Sequence, residues 1–307
     1  MKVYADDYSW LEIQKHLPFN NRITEKIYPQ EKYDTYNSIN IHIDEYKRAS
    51  DISIVILHGV GGNGRLVSFI AVPLARRGYN VICPDLPGYG YTQYKSKTKI
   101  DYQTWIDVGS YIVENELKRK HKVFVLGLSA GGMLGYNVCC CKSEVAGLVV
   151  TNILDSREQA VRNYSAKNSL QAKYGIKILS ALPAFIKAIK VPIRMVTNME
   201  GLVNKSEILK ILLKDKRGAG SNVQIDFLLS MMNYSPLIDP ESFKTPTLMV
   251  HPEKDLWTPV EVSDLFFSRI KTEKVRVILE GCGHFPVEEP GITQLEREII
   301  DFIDKNA

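Results

Sequence analysis

Six short apolar runs punctuate the chain, and five of them are followed by a segment of helical periodicity. The runs are Ile52 to Leu57, Asn80 to Pro84, Lys122 to Leu128, Val145 to Ile153, Thr247 to His251 and Val275 to Leu279. A strand that is apolar on both faces must be covered on both faces, and a parallel neighbour needs a long crossover, for which a helix is the usual solution. The alternation therefore predicts a mainly parallel sheet with helices on both sides. The helical segments are Leu66 to Arg77, Tyr102 to Lys120, Gly131 to Cys141, Val260 to Ile270 and Thr293 to Lys305. The first ends on Arg76, Arg77 and Gly78, a basic last turn followed by the residue that best adopts a left-handed cap. Ile39 to Glu45 alternates apolar and polar side chains and reads as a strand with one wet face. Thr24 to Tyr28 is expected to pair with it as a hairpin.

The rhythm breaks once. Between Ile153 and Thr245 no strand is predicted, only helical pieces such as Leu182 to Ile189 and Ser206 to Leu213, with breakers at Pro183, Pro192, Gly201, Gly218 and Gly220. The expected organisation is a core of residues 1–154 and 244–307, with 155–243 as a helical insertion over one end of the sheet. That insertion carries 13 Lys and Arg against 8 Asp and Glu, so the net charge of +4 resides there. Over the whole chain, 39 basic residues face 35 acidic ones, too even a balance to mark a nucleic-acid binder. No apolar run is long enough to cross a membrane, so no stable membrane insertion is expected. The first residues, with Asp6 and Asp7, lack the basic-then-apolar order of a secretory signal, and a cytoplasmic location is expected. Of the five cysteines, Cys139, Cys140 and Cys141 are consecutive, and no CxxC pair offers metal spacing; free thiols and no metal are expected.

The sharpest local signal is Gly127-Leu128-Ser129-Ala130-Gly131-Gly132, placed between a predicted strand and a predicted helix. A serine on such a bend is pushed out of the sheet edge into open space, and small residues two before and two after let the backbone fold on itself. Ser129 would then sit at a helix N-terminus, where partial positive charge favours a developing anion. Alone the G-x-S-x-G pattern is weak; between a strand and a helix it is much stronger. A serine hydroxyl needs a base. Six histidines compete: His16 and His42 lie in the N-terminal region, His121 precedes a strand at its far end, His58 stands at the end of the first central strand, and His251 lies in the strand Thr247 to His251. His284, in Gly281-Cys282-Gly283-His284-Phe285-Pro286, follows the last strand on a short glycine-flanked loop that can reach a cleft, and it is the predicted base. The orienting carboxylate is expected at Asp255, in the loop one strand earlier, with Asp155 as the alternative.

An acyl-transfer site also needs preorganised donors for its oxyanion. His58-Gly59-Val60-Gly61-Gly62-Asn63 follows the first buried strand. The Val60 and Ala130 N–H groups are the predicted pair, with Gly61 next in line for the first position, and His58 and Gly59 are expected to support the loop. The same glycines do not make a phosphate loop, because neither G-x-x-x-x-G-K-[ST] nor G-x-G-x-x-G is met there.

With these residues in view, the chain from Ile39 to Lys305 resembles an α/β-hydrolase with a helical cap. The resemblance rests on His58 to Gly62, on Asp85-Leu86-Pro87-Gly88-Tyr89-Gly90 with Thr92 where serine is usual, on Gly127 to Gly131, and on Asp255 and His284 in the order Ser, Asp, His. It implies an eight-stranded, mostly parallel sheet with an antiparallel second strand and a cap inserted after the sixth. Family members that open epoxides or displace halide carry Asp at the elbow, and Ser129 argues against both. The expected activity is cleavage of carboxylic esters (esterase, lipase or lysophospholipase type) through an acyl-enzyme on Ser129, without a cofactor and on a small-molecule acyl substrate. The alternatives are the same triad used for aminopeptidase, thioesterase, carbon–carbon hydrolase or cofactor-free haloperoxidase chemistry, and a non-enzymatic binding module. Leu182, Phe185, Ile186, Met195, Phe227, Met231, Met232 and Trp257 are the candidates to line an acyl pocket, and the charge of the insertion suggests an anionic or membrane-surface substrate.

Overall fold

The computed structural model describes residues 2–119 and 121–307. Its strands are β1 (Gln30–Tyr36), β2 (Ile39–Tyr46), β3 (Ile52–Leu57), β4 (Asn80–Pro84), β5 (Gln93–Tyr94), β6 (Lys122–Gly127), β7 (Gly147–Val150), β8 (Lys190–Pro192), β9 (Asn222–Gln224), β10 (Thr247–Pro252) and β11 (Lys274–Leu279). One sheet runs in the order β1-β2-β4-β3-β6-β7-β10-β11, with the two-residue β5 added beside β2. From β4 across to β11 every pair is parallel, whereas β2 is antiparallel to both of its long neighbours. The eight long strands thus form the expected mostly parallel sheet with an antiparallel second strand. Val55, Ile56 and Leu57 of β3 and Val123, Phe124 and Val125 of β6 have essentially no exposed surface, as central strands covered on both faces require.

Helices cover the two faces. They are α2 (Ser68–Arg77), α3 (Tyr102–Lys118), α4 (Ala130–Cys141), α10 (Val260–Phe267) and α11 (Gly291–Asn306), whereas α1 (Tyr8–His16) packs against the helix Ser206–Lys214. Helix α2 ends as its sequence foretold, with Gly78 at φ 109°. Helix α3 opens on a capping box between Asp101 and Thr104 and is described as far as Lys118 and Arg119; the predicted end at Lys120 lies outside the described residues. Between β7 and β10 lie α5 (Gln159–Ser165), α6 (Ile176–Ala181), α7 (Ala184–Lys187), α8 (Ser206–Lys214) and α9 (Ile225–Met232), together with the three-residue strands β8 and β9. That pair of strands corrects the expectation of a strand-free insertion; each is too short to show a period-2 pattern.

The hairpin expectation is also corrected. The partner of β2 is β1, not Thr24 to Tyr28; Thr24 and Ile27 close only a bridge on each other. As an edge strand, β1 reads Gln-Glu-Lys-Tyr-Asp-Thr-Tyr and is nowhere fully buried, so no apolar alternation marks it. Its placement comes instead from charge. Arg65, fully buried, binds both oxygens of Asp44 and lies 3.0 Å from Glu31. His42 lies 2.9 Å from Glu31 and 3.0 Å from Asp85. Burial pushes the His42 imidazole pKa down, but Asp85 and Glu31 outweigh it and raise the value to about 9. Glu31, His42 and Asp44 are close enough together to ligate a cation, yet Arg65 and the protonated His42 already supply that positive charge. Asp85 in turn accepts from Gly64 N–H, Tyr91 N–H and Tyr4 O–H, fixing the loop that follows β4. The N-terminal segment is thereby tied to the core beneath the loop after β3.

Candidate active site

Ser129 stands between the last residue of β6 and the first turn of α4 at φ 55°, ψ −125°. Few L-residues adopt this conformation, and holding one in it costs on the order of 1–3 kcal/mol. The flanking glycines make it accessible. A Cβ on Gly127 would overlap the carbonyl of Gly131, and one on Gly131 would overlap that of Leu57. The backbone is held from outside the bend as well, since the Ser129 N–H donates to Thr151 Oγ1 at 3.0 Å.

Two loops, after β10 and after β11, complete the site beside this serine. His284 follows β11, and its Nε2 lies 2.7 Å from Ser129 Oγ. Its Nδ1 lies 2.8 Å from Asp255 Oδ2, in the loop after β10. Asp255 also accepts N–H bonds from Trp257 and Thr258 on Oδ1 and the Thr258 hydroxyl on Oδ2. Burial pushes the Asp255 carboxyl pKa up; the His284 ring and these N–H donors prevail and hold it at about 2. The carboxylate is therefore ionised near neutral pH, and it can keep a proton on Nδ1 and leave Nε2 free to accept from a hydroxyl. Asp155, the alternative partner, is turned elsewhere: Arg157 binds it at 2.6 Å and holds its carboxyl below the usual range against the opposing effect of burial.

Sequence reasoning missed a polar layer behind Asp255. Asn152 Nδ2 lies 3.1 Å from Asp255 Oδ2, Thr258 Oγ1 and His251 Nε2, and Thr151 Oγ1 donates to Asn152 Oδ1 at 2.9 Å. These bonds connect the Ser129 amide to Asp255 through two side chains. The available signal was the polar pair Thr151-Asn152 interrupting the apolar run Val145 to Ile153, of which the structure keeps only Gly147–Val150 as strand.

The loop after β3 passes very close to the elbow. A Cβ on Gly59 would lie 2.9 Å from Ser129 Cβ and 3.3 Å from the Ala130 nitrogen. Val60 and Ala130 both face the cavity beside Ser129, and among the described residues neither N–H has a protein acceptor. His58 Nδ1–H donates to the Gly59 carbonyl at 2.8 Å, and its Nε2 accepts from Leu86 N–H at 2.9 Å. Burial pushes its pKa down to about 4, so a neutral ring bridges this loop to the one anchored by Asp85.

A cavity of about 550 Å³ opens against Ser129. Its wall is largely apolar and includes Met133, Val161, Leu179, Leu228, Met231 and Met232, so two of the candidate methionines do face it. Trp257 also lines it, with its ring centroid 4.7 Å from that of His284 and its indole N–H buried without an acceptor. The other candidates are corrected. Leu182, Phe185, Ile186 and Met195 lie outside the wall; Phe185, on the four-residue α7, and Met195 are 74% and 57% exposed, and in the turn at 193–195 it is Ile193 that is buried against the cavity while Met195 faces solvent. Phe227 is buried, but its ring packs 4.7 Å from Trp105 and joins α9 to α3. The charged residues in the wall are Asp155, neutralised by Arg157, and Arg162, whose guanidinium donates to the Ser156 and Met232 carbonyls.

Comparison with known proteins agrees with this architecture. The model of the family described as "Serine aminopeptidase, S33" matches residues 48–291. A thermostable monoacylglycerol lipase of Bacillus sp. (strain H-257) is 26% identical over 107 residues, which cover 35% of this chain and 42% of that protein. The chain thus aligns with less than half the length of this curated relative. A soluble variant of monoglyceride lipase from Saccharomyces cerevisiae, solved with a substrate analogue, superposes with a TM-score of 0.75 at 16% identity over 95% of this chain and 99% of that one. The monoacylglycerol lipase of Paleococcus ferrophilus superposes with a TM-score of 0.70 at 19% identity over 87% and 99%. With a family model spanning the sheet from β3 to the loop after β11, and this fold, the chain belongs to the serine aminopeptidase S33 family of the α/β-hydrolase superfamily.

Proposed function

We propose that this chain hydrolyses carboxylic esters of apolar acyl chains through an acyl-enzyme on Ser129. The observation that carries the reading is the unbroken hydrogen-bonded line from Asp255 through His284 to Ser129, ending at an apolar cavity. In the proposed sequence, His284 Nε2 takes the Ser129 proton as Oγ bonds to the ester carbonyl carbon. The Val60 and Ala130 N–H groups receive the resulting oxyanion. Collapse breaks the carbon–oxygen bond to the alcohol, which leaves with the proton from His284. Water, deprotonated by the same imidazole, then attacks the acyl-enzyme and releases the acid and free Ser129. Trp257, whose ring lies beside His284 in the cavity wall, is read as an apolar contact of the bound ester.

Residues 155–243 are taken as the cap that supplies much of the cavity wall. Its volume of about 550 Å³ and lining suit a chain of many methylenes better than a short polar acid. The monoacylglycerol lipases among the relatives make an acylglycerol the first substrate to try. An aminopeptidase would need a free carboxylate for the substrate amine, and the carboxylate in the wall, Asp155, is tied to Arg157. The unbridged thiols, three of them buried, fit the cytoplasmic location that completes this reading. The test is kcat/KM on one panel of monoacylglycerols, thioesters and aminoacyl amides with short to long chains. Long-chain monoacylglycerols are expected to lead; a lead by aminoacyl amides would overturn the reading.

A further inference from the structure

From Gln159 to Met199 the chain holds seven basic residues and no acidic one, while the remainder carries a net charge of −3. Within this stretch the backbone is helical from Ser169 through Ala181. Leu170, Tyr174 and Ile178 recur there at every fourth position and so share one side of the helix. They are 71%, 44% and 61% exposed, yet all three also line the cavity, which makes them the rim of its mouth. Lys173 and Lys177, both exposed, flank the stripe, and Lys167 precedes it. Arg194 and Met195, both exposed, lie beside this rim: Gln171 donates to the Met195 carbonyl at 3.2 Å, and Lys167 Nζ lies 3.5 Å from the Arg194 carbonyl. Among the described residues, none of Lys167, Lys173, Lys177 and Arg194 has a carboxylate within ion-pair distance.

We infer that this rim docks the protein on an anionic lipid surface. A row of exposed apolar side chains flanked by unneutralised lysines is the pattern of a helix that lies in a headgroup layer, apolar side down and ammonium groups among the phosphates. An acidic protein could satisfy the lysines, but a lipid layer also meets the apolar rim and the mouth it encloses. A chain drawn from that layer passes Leu170, Tyr174 and Ile178 directly into the apolar cavity. Docking requires no chemistry at Ser129, so it and the ester-cleaving reading stand or fall separately.

Co-sedimentation of the full chain with vesicles tests it without any turnover. Mixed phosphatidylglycerol–phosphatidylcholine vesicles are expected to bind the protein at least about tenfold more strongly than phosphatidylcholine alone, since each cation near an anionic leaflet contributes about fivefold. Added salt should weaken that preference. The Lys173→Glu/Lys177→Glu variant should lose at least about tenfold of the binding to anionic vesicles. Its turnover of a short, water-soluble ester should stay within about twofold of wild type, because neither lysine lines the cavity. Ile178→Ser should bind both vesicle types more weakly. Equal binding to the two compositions, no binding to either, or unchanged binding of the charge-reversal variant would overturn the inference.

Discussion

At Asp255 five donors converge on one carboxylate: the His284 ring, two backbone N–H groups, the Thr258 hydroxyl and the Asn152 amide. Replacing it by Asn leaves the shape but offers Nδ1 a donor where it needs an acceptor, so the ring is held in the wrong tautomer. Asp255→Asn is therefore expected to lower kcat for an ester by roughly 10⁴-fold. Asp155→Asn, which breaks only the pairing with Arg157, should stay within about tenfold of wild type. If Asp155→Asn is the crippled variant of the two, the orienting role belongs to Asp155 instead. The serine, the histidine and both carboxylate candidates were legible because each stands directly past an apolar strand, where a parallel sheet gathers its functional loops. Asn152 and Thr258 were not, since one sequence does not say which polar side chain beyond a strand end will face another.

Strand β1 and helix α1 illustrate what periodicity cannot reach. The strand is a polar edge, and the helix buries little besides Trp10 and Ile13. Both are held by the buried charges around Arg65 and His42. Folding raises His42 from about 6.5 to about 9. A raised imidazole stabilises the fold fully below about 6.5, and that contribution fades as the pH climbs and is gone above about 9. It amounts to no more than about 3 kcal/mol. His42→Asn should accordingly be less stable than wild type in urea melts at pH 6, with the gap closing toward pH 10; parallel pH dependences in the two proteins would contradict this. The loop after β3 poses a steric question of its own. A Cβ at Gly59 meets Leu128 O at 2.8 Å and Ser129 Cβ at 2.9 Å, so Gly59→Ala must displace the Val60 N–H relative to Ser129. A drop in kcat of about 10²-fold or more, the usual effect of losing one oxyanion donor, is expected with little change in KM; a normal kcat would place the oxyanion elsewhere.

Across the whole molecule, the order β1-β2-β4-β3-β6-β7-β10-β11 brings the loops after β3, β6, β10 and β11 to one edge, and the segment between β7 and β10 supplies much of the wall above Ser129. The sheet could be anticipated from apolar runs because each strand's burial is written in its own residues. The wall could not, because helices of four to nine residues pack by tertiary contact, and Phe227 and Leu228 differ in facing Trp105 or the cavity by a single helical step. The central claim, that Ser129 is the nucleophile at the end of a relay, is tested most directly by an alkyl fluorophosphonate and peptide mass mapping. Wild type should carry one phosphonate, on Ser129, and lose turnover in step with labelling. Ser129→Ala should take up none and lose about 10⁴- to 10⁶-fold in kcat. Stoichiometric labelling at another residue, or wild-type turnover by Ser129→Ala, would contradict the account.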